Sequence, residues 1–261
     1  MQSKTTRRTF VKGLAATGII GGLGLWRTPV WAVNSPGQPN VLTGNEFDLF
    51  IGETPVNITG AARTAMTING SLPGPILRWR EGDTVTLRVR NRLKEDTSIH
   101  WHGIILPANM DGVPGLSFHG IAPDGMYEYK FKVNQNGTYW YHSHSGMQEA
   151  MGHYGPIVID PAGVDPVGYD REHVLVLSDW SFMHPHEILA KLKKSPGYFN
   201  MQKQTLSGLL AGKDQSASER RMWAGMRMDP TDVLDVTGSA YTYLVNGHGP
   251  GDNWTGLFSP G

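Results

Sequence analysis

Two closely spaced histidine pairs are the residues of this chain best suited to bind a metal. The first pair is His100 and His102, and the second is His142 and His144. Side chains two residues apart on a β-strand point to the same face of a sheet. Neutral imidazole is a common ligand of copper and zinc. Each pair can therefore direct two ring nitrogens at one metal ion or at two neighbouring ions.

The composition indicates an all-β fold without thiol chemistry. The 261 residues include 33 Gly and 17 Pro, long helical patterns are few, and short alternating runs are frequent. The chain has no cysteine, which excludes both a disulfide framework and a thiolate metal site.

Alternating patterns predict the strands that carry the histidine pairs. Val85, Leu87 and Val89 share one face of a half-buried strand, and arginines on the other face are expected to be solvated. Further strands are predicted at residues 46–51, 56–59, 99–106, 127–133, 138–141 and 155–161. Seven or eight strands before residue 161 are typical of a Greek-key sandwich or barrel.

The first 32 residues read as an export signal. Arg7 and Arg8 precede Phe10 and Lys12, and an apolar run rich in Gly and Ala follows. This pattern resembles a twin-arginine signal rather than a membrane anchor, and it predicts a periplasmic protein with no membrane span after cleavage. Removal of the signal would leave 18 Lys and Arg against 23 Asp and Glu, which gives no basic surface for nucleic acid or anionic membranes.

A second unit is predicted after a Gly- and Pro-rich linker. The patterns indicate the linker at residues 161–169, a strand at 173–180, helical segments within 186–229, and a strand with a turn at 241–247. Two strands are too few to cover a core. We therefore expect one complete domain at residues 33–163 and a truncated N-terminal part of a second domain at residues 164–261.

The motifs around the histidines resemble the N-terminal cupredoxin domain of multicopper oxidases. They are His-Trp-His-Gly at residues 100–103, Asp-Gly-Val-Pro-Gly at residues 111–115, and Gly-Thr-Tyr-Trp-Tyr-His-Ser-His-Ser-Gly at residues 137–146. With the export signal, the whole chain is similar to the laccase-like members that act in bacterial copper resistance. The resemblance implies a cupredoxin-like fold for the first domain and an incomplete cupredoxin-like domain after it.

The resemblance also implies a cofactor and an activity. Family members oxidise a donor such as Cu(I) or a phenol at a type 1 copper and reduce O2 to water at a trinuclear copper cluster. By this likeness His100 is a type 2 copper ligand, and His102, His142 and His144 bind the type 3 pair. Asp111 occupies the place of an acid that assists proton delivery to oxygen.

The chain departs from the family pattern in one respect. A type 1 copper site needs a cysteine thiolate, and this sequence has none. Only half of the trinuclear ligand set is present, so we expect the isolated chain to be inactive as an oxidase. The alternatives are a non-catalytic periplasmic copper-binding or scaffolding protein, and a cluster completed by histidines of a partner chain.

The remaining histidines and the methionines give weaker signals. Metal binding by His184 and His186 is not favoured, because Pro185 between them indicates a turn. Met147 and Met151 are expected to serve in packing. Surface or hydrogen-bonded positions are expected for His119, His153, His173 and His248.

Overall fold

A computed structural model describes most of the chain beyond its first 38 residues. The described residues are 39–115, 117–194, 198–201, 206–212, 216–226, 240–252 and 254–257. The export signal predicted at residues 1–32 lies outside them. Within these ranges, no helix has the length and apolar character required to cross a membrane.

Strands dominate the described part of the chain. They are β1 (Val41–Thr43), β2 (Glu46–Ile58), β3 (Ala61–Ile68), β4 (Ile76–Arg80), β5 (Thr84–Asn91), β6 (His100–His102), β7 (Met126–Lys132), β8 (Gly137–His142), β9 (Tyr154–Asp160), β10 (Leu177–Trp180) and β11 (Thr242–Val245). The α-helices are α1 (Pro185–Lys194), α2 (Tyr198–Met201), α3 (Leu206–Leu210) and α4 (Ala217–Met226).

The first nine strands form two sheets with a common core. One sheet has the order β1-β4-β9-β8-β6, and the other has the order β3-β2-β5-β7. Trp79 and Tyr141 from the first sheet and Leu87 and Tyr129 from the second belong to one buried cluster. The all-β prediction is confirmed, and among the described strands the two sheets stay open rather than closing into a barrel.

The half-buried strand predicted around residue 87 is β5. Val85, Leu87 and Val89 are fully buried. On the opposite face Arg88 lies near the carboxylates of Glu46 and Glu128, with nitrogen to oxygen distances of 3.4 and 3.3 Å. The alternation in the sequence is therefore a burial pattern, and the arginine predicted to be solvated contributes to the outer surface.

Some predicted strand limits were wrong. The two short strands predicted at 46–51 and 56–59 are one 13-residue strand, β2. Pro55 is tolerated inside it because β2 pairs with β5 only as far as Ile51, and beyond that residue it has β3 as its one partner. The strand predicted at 99–106 ends at His102, because Gly103 has a φ of +82° and the chain turns there.

The region after residue 163 contains a small sheet and the predicted helical segments. Residues 161–176 form neither helix nor strand, so the strand predicted at 173–180 begins only at Leu177. β10 pairs with β11, and Trp180 and Leu244 pack against Ile58 on the first unit. Pro185, predicted in a turn, is instead the first residue of α1, a position where its missing N–H costs nothing.

His153 contradicts the expectation of a surface or hydrogen-bonded position. It is fully buried, and neither ring nitrogen has a hydrogen-bond partner among the described residues. Burial, with a smaller contribution from nearby His142, lowers the pKa of His153 to about 3. The prediction holds for His119, which is exposed, and for His248, whose Nδ1 lies 2.8 Å from the Asp252 carboxylate.

Tyr141 carries another buried polar group of the core, and this one is satisfied. Its hydroxyl donates a 2.7 Å hydrogen bond to the backbone carbonyl of Pro75, and burial raises the pKa of the phenol well above its ordinary value. A Cβ on Gly155 would collide with the hydroxyl oxygen and the ring of Tyr141. The glycine at position 155 therefore makes room for the Tyr141 side chain and its hydrogen bond to Pro75.

Replacement of His153 with leucine should stabilise the fold in a pH-dependent way. An unfolded imidazole binds a proton below pH ~6.5 that the folded one cannot hold, so native stability falls as the pH drops. The advantage of His153→Leu over the wild type should grow by about 1.4 kcal/mol per pH unit below that value. Urea denaturation at pH 7, 6 and 5 measures it, with His119→Leu as the exposed control. An advantage that does not change with pH would contradict the assignment.

Removal of the Tyr141 hydroxyl should destabilise the fold. Tyr141→Phe leaves the buried Pro75 carbonyl without its donor, and we expect a loss of about 1–2 kcal/mol in the free energy of unfolding. The matched control is Tyr139→Phe, because the Tyr139 hydroxyl bonds to the Asn136 carbonyl at an exposed position. Equal losses of unfolding free energy for the two variants in urea denaturation would show that the buried hydrogen bond contributes no more to stability than the exposed one.

Candidate metal centre

The pairing of β6 with β8 brings the two histidine pairs together. In the antiparallel register His100 lies opposite His142, and His102 lies opposite Trp140. Trp101 and Tyr141, also opposite each other, point into the core and are fully buried. The alternation of histidine with aromatic residues thus separates a metal-binding face from a core face.

Three of the four predicted ligands converge on one point. Ring nitrogens of His100, His102 and His142 all lie within 4.8 Å of one another. Nδ1 of His102 and Nε2 of His142 are 3.1 Å apart and face each other. Ring centroids within this group are 5.3 to 5.5 Å apart. This spacing allows one ion to contact more than one imidazole.

His144 borders this group rather than belonging to it. Its ring centroid lies 5.1 Å from that of His100 and 5.5 Å from that of His142. The His144 backbone N–H donates to the Ser98 hydroxyl at 3.1 Å, which fixes the loop that follows β8. Partial burial, and then the charges of His100 and His142, lower the pKa of His144. The neutral, metal-binding form of this ring therefore persists to lower pH than usual.

The outward nitrogens of two histidines are held by oxygen atoms. Nδ1 of His100 lies 2.8 Å from the backbone carbonyl of Asp111 and 3.4 Å from its carboxylate. Nδ1 of His142 lies 2.8 Å from the Glu149 carboxylate and 3.0 Å from the Ser143 carbonyl. Such partners fix the ring orientation and leave Nε2 for a metal.

Asp111, the predicted acid, is placed beside His100 by a tight turn. Gly112 has a φ of +72°, and a Cβ there would collide with the backbone carbonyl of Ile99. Only glycine lets the chain approach β6 this closely. The Asp111 side chain is 38% exposed, so its carboxylate contacts both the imidazole and solvent.

Residues outside the predicted ligand set complete the surroundings. Glu149 has no motif of its own, and its position a few residues after the second pair was the only signal. Trp140 stacks on the His142 ring at 4.1 Å with an interplanar angle of 17°, and it is partly exposed. Gln148 is buried, and its side chain joins Ser143 to Thr97 by hydrogen bonds of 2.9 and 2.7 Å.

The donor set fits copper. It consists of imidazole nitrogens without thiolate, oriented by oxygen atoms on the outward nitrogens of two rings. Imidazole suits copper, zinc, iron and nickel, whereas magnesium and calcium prefer oxygen ligands. The geometry thus provides a nitrogen-rich site that is unsuited to magnesium and calcium.

Comparisons with known proteins identify this domain. Residues 51–163 match the sequence profile described as Multicopper oxidase. Over its whole length the chain is 64% identical to a Copper resistance protein A homolog of Pseudomonas syringae pv. tomato and 58% identical to Copper resistance protein A of Escherichia coli. It covers 45% and 44% of those proteins, so it spans a little under half of their length.

A solved structure agrees with the sequence relationship. The laccase from Botrytis aclada superimposes with a TM-score of 0.52 at 38% identity, covering 59% of this chain and 29% of the laccase. This similarity confirms that the two-sheet unit is cupredoxin-like. Residues 51–163, the domain that carries the two histidine pairs, belong to the multicopper oxidase family.

Proposed function

We propose that this chain is the N-terminal segment of a multicopper oxidase that acts in copper resistance. The whole enzyme would oxidise Cu(I) or phenolic donors one electron at a time and reduce O2 to water with four electrons. Membership of the family implies copper, and the names of the relatives point to copper resistance. The convergence of three imidazoles within 4.8 Å is the observation that carries the proposal.

The four histidines would take different roles in the cluster. We assign His100 to a type 2 copper, and His102, His142 and His144 to the type 3 pair. In support, His100 is held separately by Asp111, whereas the nitrogens of His102 and His142 face each other at 3.1 Å. Bound copper would supply one-electron redox chemistry and open positions for oxygen.

Asp111 would act as the catalytic acid of the site. Its carboxylate is 3.4 Å from Nδ1 of His100 and is partly open to solvent. A carboxyl group in that position can exchange protons with water and pass them toward the face where oxygen is reduced. Trp140 covers the His142 ring and limits the access of water from its side.

The proposed domain boundaries and the proposed periplasmic location rest on patterns in the sequence. We assign residues 33–163 to one cupredoxin domain and residues 164–261 to the beginning of a second. The segment at 161–176, without helix or strand, supports this division, and so does the small β10-β11 sheet with exposed Leu177 and Tyr243. Export to the periplasm would depend on the twin-arginine pattern of residues 1–32.

The alternative is a non-catalytic copper-binding or scaffolding protein, favoured by the absence of cysteine in this chain. The coding sequence beyond codon 261 separates the two. A His-Cys-His motif there, with O2 consumption by the encoded protein on Cu(I) or a phenol, supports the oxidase. Copper binding without O2 consumption by that protein supports the alternative.

Copper binding by the 261-residue chain should depend on the histidine cluster. His102→Ala removes the imidazole that faces His142, and we expect Cu(II) affinity to fall at least about ten-fold, in line with the loss of a metal ligand or its support. Titration calorimetry measures the affinity, and nitrogen hyperfine structure in the electron paramagnetic resonance spectrum identifies the ligands. His119→Ala is the control at an exposed histidine. Equal affinities for the two variants would remove the cluster as the copper site.

The copper-loaded chain should lack type 1 copper and oxidase turnover. A blue site requires a cysteine thiolate, which this chain does not have. We therefore expect no intense blue absorption and no copper-dependent O2 consumption with Cu(I) or a phenol as donor. An oxygen electrode and a visible spectrum test this on the purified chain. Robust turnover would overturn the assignment of these histidines to one half of a larger site.

A further inference from the structure

We propose that a second cavity of this protein binds Cu(I), through methionine thioethers and the His184–His186 pair. The cavity has a volume of about 190 Å³. Four segments meet around it: β3, the loop before β6, the short 3-10 helix that follows the second histidine pair, and the start of α1. Nothing in the function proposed above uses this cavity, and its assignment does not depend on that function.

Three methionines line the cavity. Met66 comes from β3, whereas Met147 and Met151 flank one turn of 3-10 helix at Glu149–Met151. All three are half-buried, so each side chain is partly open to solvent. Met147 and Met151 are four residues apart, and both line this cavity. From the sequence, both methionines were expected to serve in packing.

Two histidines border the opening of the cavity. His184 and His186 line it and are exposed. Their rings are nearly parallel, with an interplanar angle of 14° and centroids 5.4 Å apart. Because α1 begins at Pro185, the helix start holds the two imidazoles side by side. The third His-x-His pattern of the sequence, for which metal binding was not favoured because of its proline, therefore lines the same cavity as the methionines.

The donor types select a soft monovalent ion. Thioether sulfur is a soft ligand that favours Cu(I) over hard cations, and imidazole also binds copper. Calcium and magnesium need six or more oxygen ligands. The lining includes the exposed acids Glu95 and Asp96, whose negative charge attracts cations to the opening. A cuprous ion satisfies both the sulfur atoms and the charge.

The cavity is separate from the histidine cluster of β6 and β8. Its described lining contains none of the four histidines of that cluster. The buried side chain of Gln148 also lines it, and Gln148 bonds to the hydroxyl groups of Thr97 and Ser143. The two sets of residues do not overlap, so a residue of one can be changed without removal of a ligand of the other.

Methyl NMR on the unmodified sequence gives a direct test. The 261-residue chain is labelled with [methyl-13C]methionine and titrated with Ag(I), a redox-inert soft ion, and then with Cu(I) under anaerobic conditions. We expect the methyl signals of Met66, Met147 and Met151 to shift and to saturate together, while those of exposed Met126 and Met222 stay in place. Single Met→Leu variants assign the signals. Unshifted signals from the first three residues would overturn the proposal.

Matched variants give a second measurement. In competition with a Cu(I) chelator, the double variant Met147→Leu with Met151→Leu should bind Cu(I) at least ten-fold more weakly than Met126→Leu, which changes a methionine outside the cavity. If the double variant fails to fold, His184→Gln with His186→Gln changes only exposed side chains and should also weaken binding. Unchanged affinity in the folded variants would overturn the site. His102→Ala should keep the methionine shifts, which separates this site from the histidine cluster.

Discussion

The antiparallel pairing of β6 with β8 is the constraint on which the metal centre depends. Because His100 is opposite His142, the two pairs share one face of the sheet, and Trp101 and Tyr141 share the other. A shift of one residue in either strand would place an imidazole in the core and an aromatic side chain at the metal. The buried aromatic residues therefore fix the register that the histidines need.

Electrostatics around the cluster follows from that register. The rings of His100 and His142 lie 5.3 Å apart. Partial burial, and then the charges of these two rings, lower the pKa of His144. Oxygen atoms of Asp111 and Glu149 hold the outward nitrogens of two rings. These partners orient the imidazoles before any ion arrives, which reduces the reorganisation that binding requires.

The two sites described here use different ligand chemistry on one scaffold. The cluster on β6 and β8 is built from imidazole alone, whereas the cavity beside α1 combines sulfur with imidazole. Gln148 contributes to the wall of the second site and bonds to Ser143, between the histidines of the second pair. The loop after β8 therefore supports both sites, and the contact of Trp180 and Leu244 with Ile58 helps to hold the later part of the chain against the first unit.

The sequence by itself determined the all-β class and the histidine pairs, because strand alternation and ligand spacing are local properties of the chain. Its short motifs also carried the resemblance to the family. Only the tertiary structure decided which histidines converge, because register joins residues 40 positions apart. It also placed the Glu149 carboxylate beside His142 and buried His153 with no hydrogen-bond partner among the described residues. It placed Met66, Met151 and His184 on the lining of one cavity. Those contacts arise from packing between distant segments, for which the spacing of residues along the chain carries no signal.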